Sequence, residues 1–212
     1  MNYLSIQAPC VHEIDIKKSR FICYLFPVKN VEEADAHLAQ LRKEHYKATH
    51  RCYAYILNEN ASVQKMSDDG EPAGTAGVPM LEVLKQRQLT YILAVVVRYF
   101  GGTKLGAGGL IRAYGQAVSH ALEQASIIQN ISQIIGELNL SYAQIDSFNY
   151  FLTQTNLPIS ILETQYTDCV TYRFAVHLTD MDALQQHLNE RFNGQFSLEI
   201  LGEQTIDIPY IP

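Results

Sequence analysis

Tryptophan is absent, and no apolar run approaches the roughly 20 residues that a membrane-spanning helix needs. The opening residues, MNYLSIQAPC, lack a basic stretch followed by an apolar one, so no secretion signal is read there. Cys10, Cys23, Cys52 and Cys169 are scattered without a C-x-x-C pair, the pattern of reduced thiols in a cytoplasmic protein. Serines are present but never in G-x-S-x-G, so a hydrolase nucleophile elbow is not supported. Basic residues are scarce in one half. Residues 136–212 hold 2 Lys+Arg against 10 Asp+Glu, a net of −8, whereas residues 1–135 hold 14 against 12, a net of +2. Nucleic-acid affinity comes largely from neutralising phosphates, so any such contact falls to the first half. With 47% hydrophobic and 18% charged residues in 212, the chain is globular and long enough for one large or two small domains.

What is present concentrates in one stretch. Residues 91–97 form an uncharged, β-branched run that reads as a strand buried on both faces. Arg98, Tyr99 and Phe100 follow, then a turn with Gly101, Gly102, Gly106, Gly108 and Gly109 around Lys104. From Leu110 to Ala125 apolar residues recur at helical spacing. The unit is therefore strand, glycine loop, helix. Glycine tolerates positive φ and close backbone approach, and a helix N-terminus presents unpaired N–H groups with partial positive charge. Arg98, Lys104 and Arg112 beside such a loop make a candidate anion site. The spacing fits neither a Walker A loop nor a dinucleotide fingerprint, and a tight connection with packing glycines explains it at least as well.

Residues 11–28 read as two strands, with Lys17, Lys18 and Arg20 at the turn between them or on a solvated edge. Asn30 caps a helix over 31–46, and Glu33 completes a pattern like a capping box. Residues 50–57 alternate as a strand, with His50, Cys52, Ala54 and Ile56 on one face. By residue type alone His50 reads as a satisfied or surface histidine before it reads as a catalyst. Residues 67–77, SDDGEPAGTAG, form a loop. Its carboxylates, Asp68, Asp69 and Glu71, are weak candidates for Mg²⁺, with water and phosphate completing the shell. Capping of the helix that runs from Thr75 or Gly77 to Gln86, or pairing with Arg51, Arg98 or Arg112, is the preferred reading.

The pattern changes around residues 127–133, which divides the chain into domains at 1–132 and 133–212. Strands at 135–142, 158–166, 169–178 and 195–204 and helices at 144–155 and 180–192 give the β-α-β-β-α-β order of a ferredoxin-like domain. It contains no glycine-rich phosphate loop, no metal-spaced His/Cys set and no paired nucleophile and base. Residues 206–212 read as a frayed or edge-packed tail.

VVVRYFGGTKLGAGGLIRAY, preceded by SDDGEPAGTAGVPML, closely resembles the signature of the IMPACT/YigZ family. KKSRFI at 17–22 and HRCYAY at 50–55 fit it too. The resemblance implies a two-domain α+β protein: an N-terminal domain like the second domain of ribosomal protein S5, then a ferredoxin-like C-terminal domain. It singles out His50, Asp68, Asp69, Glu71, Arg98, Gly101, Gly102, Gly106, Gly108, Gly109 and Arg112. Eukaryotic members of the family act in translational control by binding an activator of the starvation-responsive kinase, a pathway that bacteria lack.

Two readings follow. In the preferred one the protein is a non-enzymatic cytoplasmic regulator whose N-terminal domain binds RNA, the ribosome or a translation factor. Lys17, Lys18, Arg20, Arg98, Lys104 and Arg112 would build its basic patch. In the alternative it is a Mg²⁺-dependent enzyme acting on a nucleotide or other phosphorylated small molecule. His50 is then the general base, Asp68 and Asp69 hold the metal, and Arg98 with the glycine loop cradles phosphate. A regulator should show a basic patch and no enclosed pocket. An enzyme should bring His50, the carboxylates and the glycine loop together in a concave site.

Overall fold

In the computed structural model, which describes residues 3–210, one unit runs to Asn130 and takes up the chain again at Ile208. The other is Ile131–Asp207. The first unit contains β1 (Tyr3–Ile6), β2 (Cys10–Ile16), β3 (Ser19–Pro27), α1 (Val31–Glu44), β4 (His50–Leu57), β5 (Val63–Ser67), α2 (Gly77–Gln86), β6 (Ile92–Tyr99) and α3 (Ala107–Gln124). Strands β2-β3-β6-β4-β5 make one sheet, antiparallel throughout.

The uncharged run becomes the central strand, β6, because both faces of the sheet are covered. Ile92, Ala94 and Val96 pack with Met80 and Leu84 of α2 and Tyr114 and Val118 of α3. Leu93, Val95 and Val97 pack with Ala34, Leu38 and Leu41 of α1. Each of the Val, Leu, Ile and Met side chains among them, once buried, contributes about 1.5–3 kcal/mol. The β2–β3 connection is a two-residue turn in which Lys17 and Lys18 both adopt positive φ, 46° and 66°, and Ile16 pairs with Ser19. Such turns match strand twist, and this one settles the turn-or-edge choice in favour of the turn. Asn30 caps α1 by accepting from Glu33 N, while Glu33 accepts from Lys29 N, one residue before the position a capping box uses. The helix ends at Glu44, two residues early.

Two boundaries differ from expectation in ways that matter for the site. Helix α3 starts at Ala107, so Gly108 and Gly109 belong to its first turn and the loop ends at Gly106. The acidic loop is preceded by an unanticipated edge strand, β5, whose residues are largely exposed and show weak alternation.

The expected division at 132/133 falls inside β7 (Ile127–Leu140). The rest of the second unit is α4 (Ile145–Gln154), β8 (Ser160–Tyr166), β9 (Val170–His177), α5 (Met181–Phe192) and β10 (Ser197–Pro209). The strands connect as β10-β7-β9-β8, a ferredoxin-like arrangement. Phe148 and Phe151 of α4 and Leu184 and Leu188 of α5 share a core with Tyr172 and Phe174 of β9. The last strand continues beyond the expected end at 204, and Tyr210 N donates to the Ile127 carbonyl at 3.0 Å.

Candidate functional site

The three carboxylates of the acidic loop do three different things. Asp68 accepts from Gly74 N (2.9 Å), Ala76 N (2.9 Å) and Gly77 N (2.8 Å). It thereby caps α2, whose own N-cap, Ala76, has no side-chain acceptor. Burial raises the Asp68 pKa, and the three backbone donors outweigh that, leaving it below the usual 3.8. Asp69 accepts from Arg51 N at 2.7 Å and lies 3.5 Å from Arg51 Nε. Glu71 alone turns inward. It is buried, and its Oε1 accepts from Arg98 Nη1 at 2.5 Å and Tyr114 Oη at 2.8 Å. Among the described residues no group of three or more His, Cys, Asp or Glu side chains is placed to hold a metal ion.

Strand register brings His50 to this carboxylate. His50 of β4 pairs directly with Arg98 of β6, so both side chains project toward the α2–α3 layer. His50 Nδ1 lies 2.8 Å from the Asp69 carbonyl, which only accepts, so Nδ1 carries the proton. Nε2 then faces Glu71 Oε2 at 3.8 Å. Arg98 is also buried: Nη2 donates to Ser19 Oγ at 3.3 Å, and the guanidinium carbon sits 5.3 Å from the Phe21 ring centre and 5.4 Å from that of Phe100. Its Nε–H is buried without a hydrogen-bond partner.

The glycines build the rim. A Cβ at Gly101 would overlap the Lys18 carbonyl, so Gly101 is what lets the glycine loop dock on the β2–β3 turn. Gly102 and Gly106 hold positive φ, 85° and 74°, and Gly106 is the N-cap of α3. A Cβ at Gly109 would press on the Leu105 side chain, whereas Gly108 faces open space apart from Arg112.

A cavity of about 430 Å³ results, walled by Thr49, His50, Glu71, Arg98, Phe100, Lys104, Leu105 and the first turn of α3. On the far side of Leu105 a smaller cavity of about 170 Å³ is lined by Lys17, Gly109 and Arg112. The expected basic residues thus divide. Arg98 and Lys104 belong to the large cavity, and Lys17 and Arg112 to the small one. Arg20 is engaged by Glu13 at 2.6 Å and lies over the Tyr99 ring. Of the carboxylates, only Glu71 reaches the cavity with His50.

Sequence reasoning missed Tyr114, Ser19, Thr49 and Cys52. Tyr114 sat in the apolar stripe of the helix, and only its hydroxyl, bonded to Glu71 and accepting from Cys52 Sγ at 3.4 Å, marks it out. Burial pushes the Cys52 thiol up to about 12 and raises the Tyr114 hydroxyl as well, so both stay protonated at neutral pH. The site thus sets Arg98, Lys104 and the first turn of α3 around one carboxylate, Glu71, whose Oε1 is bonded twice and whose Oε2 has, among the described residues, only His50 Nε2 at 3.8 Å; the balance of charge suits an anion.

The fold and this motif-built site define a two-domain α+β protein of the kind the signature blocks imply. The chain belongs to the IMPACT family. The Impact N-terminal domain model matches residues 17–122, and a domain of unknown function, DUF1949, matches 138–195. The IMPACT family member YvyE of Bacillus subtilis is 40% identical over 198 residues, covering 93% of this chain and 90% of that protein. YigZ of Escherichia coli is 36% identical over 204 residues, covering 95% and 99%. A crystal structure of a hypothetical protein aligns with a TM-score of 0.59 at 35% identity, covering 95% of this chain and 98% of that one.

Proposed function

We propose that the protein is a translation-associated regulator that binds RNA, free or within the ribosome, through the glycine-loop edge of its N-terminal domain. One observation carries this reading. Lys17, Lys18, Lys104 and Arg112 gather around residues 101–109, and among the described residues none has a carboxylate within ion-pair distance. Cations without partners keep their full charge for a phosphate backbone, and a modest net charge is no obstacle when the charge is local. The N-terminus of α3, with no acidic residue in its first turn, adds to the same field.

The enzyme alternative draws support from the concave cavity that joins His50 and Glu71 to the glycine loop. Against it stand Asp68 and Asp69, the carboxylates it assigns to a metal, each engaged by protein donors.

Co-sedimentation with ribosomes and with tRNA across a salt series tests the proposal. Wild type should bind with a steep salt dependence. Lys17→Ala/Arg112→Ala should flatten the slope of log K against log salt by roughly 1.4, two single-strand phosphate contacts' worth. Arg98→Ala is unsuited to the test, because Arg98 is buried against Glu71 and its removal disturbs the fold. No binding at low salt refutes the reading.

A further inference from the structure

We infer that the cavity of about 430 Å³ binds a nucleoside monophosphate, its phosphate beside Arg98, Lys104 and the first turn of α3 and its flat ring against Phe100. The inference deepens the RNA reading and rests on it only for one source of the ligand, since the same moiety occurs free and at the end of an RNA chain.

The anion end is built from independent features. Helix α3 is 18 residues long, its N-cap is a glycine with no side-chain hydrogen bond, and its first turn lacks an acid. The neighbouring α2 shows the contrast, because there Asp68 already occupies the N-terminal amides. Arg98, 5% exposed, stands in the cavity wall with its Nε–H unpartnered while Nη1 and Nη2 are committed to Glu71 and Ser19. That Nε–H lies closed off behind the cavity wall, so Arg98 acts on an anion in the cavity through its charge and not through a direct bond. Lys104, which has no carboxylate partner among the described residues, shares that wall. Its one acid, Glu71, is held by Arg98 and Tyr114 and does not repel an incoming anion as a free carboxylate would. A tetrahedral dianion has enough acceptor oxygens to meet donors arriving from the helix end and the Lys104 ammonium at once.

The other end is apolar. Phe100 is 46% exposed and lies in the wall with Leu105 and Leu110. An exposed ring beside an anion site is the element that stacks a base. The volume falls within the range of small-ligand clefts, about 300–1,000 Å³. A bare phosphate would leave this apolar wall unused.

Isothermal titration of the whole protein with AMP, GMP, CMP and UMP, their nucleosides and inorganic phosphate tests the assignment. At least one monophosphate should bind, with its nucleoside weaker by about tenfold or more, the worth of charge-assisted bonds to phosphate. Lys104→Ala should weaken the monophosphate about tenfold, whereas Phe100→Ala should weaken it and leave inorganic phosphate unchanged. No saturation by any monophosphate at millimolar concentration, in protein whose circular dichroism is native, overturns the inference. So does unchanged affinity in both variants. The two sources separate with a short RNA carrying a 5′-phosphate or a 5′-hydroxyl: a tenfold preference for the phosphorylated end identifies the RNA terminus, and equal affinity identifies the free nucleotide. The RNA reading is separable too. Lys17→Ala/Arg112→Ala should weaken RNA, with the flattened salt slope given above, and keep the mononucleotide. Mononucleotide binding with no RNA binding in wild type removes the RNA reading and leaves this one standing.

Discussion

In the first unit Glu71 and Arg98 lie buried against each other, between an acidic loop and the central strand. In the second unit every charged side chain among the described residues keeps contact with solvent, as in the pairs His177–Asp180 and His187–Glu190. The second unit forms its core from Phe148, Phe151, Tyr172, Phe174 and their aliphatic neighbours without burying a charge. Packing an α+β domain of this size therefore does not demand one. Taking two charges out of water is expensive even when they meet, and replacement by apolar residues often costs nothing. A pair kept in spite of that points to a positional task. Under the proposed reading the task is to hold Arg98 and the loop bearing Glu71 at the wall of the same cavity.

The largest expected effect tests this contrast directly. Glu71→Ala leaves Arg98 buried and uncompensated, and should destabilise the first unit by about 3–5 kcal/mol in urea unfolding of the whole chain. Glu190→Ala in the second unit should stay within about 0.5 kcal/mol. Glu71→Leu/Arg98→Met removes both charges and should recover most of the loss. A single-variant cost no larger than that of Glu190→Ala would erase the distinction between the units.

Next in size is Gly101→Ala. The added methyl would collide with the Lys18 carbonyl, which is backbone and cannot swing aside. Overpacking of this kind costs about 1–3 kcal/mol, and here it should also pry the glycine loop from the β2–β3 turn, separating Lys17 and Lys18 from Lys104. Gly194→Ala in the second unit is the matched control. It too breaks a glycine, at φ 75°, but nothing lies within 4 Å of the new methyl, so only backbone strain is added. Thermal unfolding and RNA binding measured together should show both falling for Gly101→Ala and RNA binding intact for Gly194→Ala.

These expectations mark where sequence reading succeeds and where it stops. The span 50–57 is β4, residue for residue, because alternation is a local signal and both faces are buried. The run at 91–97 announces burial on two faces for the same reason. Helix α3 starts three residues before the expected Leu110, since Gly108 and Gly109 are poor helix formers held helical by the turn they complete. Within the acidic loop Asp68, Asp69 and Glu71 look alike in sequence. Their different fates depend on Arg51, Arg98 and Tyr114, which lie 18, 27 and 43 positions from their partners and arrive through sheet register and helix packing. The division of the basic residues by Leu105 is likewise a property of the folded loop and of no local pattern.

The smallest effect concerns how each unit satisfies its helix ends. In the second unit a Ser141–Gln144 capping box serves the short turn that leads into α4, α5 has no side-chain cap, and Asp182 merely sits exposed in the first turn of α5. In the first unit Asp68 reaches forward to hold three amides at the start of α2. Asp68→Asn keeps one oxygen acceptor and turns the other into a donor, so it should cost about 1 kcal/mol, typical for a lost cap. Asp182→Asn should cost less, having no hydrogen bond to lose. The pH dependence separates them further. Asp68 is depressed in the folded state, so the unfolded chain takes up the proton first. Its contribution is therefore complete above the ordinary 3.8 and is lost as pH falls through the folded value. The stability gap between wild type and Asp68→Asn should be constant from neutral pH down to about 4 and then close on further acidification. A gap that persists unchanged at the lowest pH would mean that the neutral side chain caps α2 as well as the carboxylate does, and that the ionised form has no special part in shaping the loop that carries Glu71.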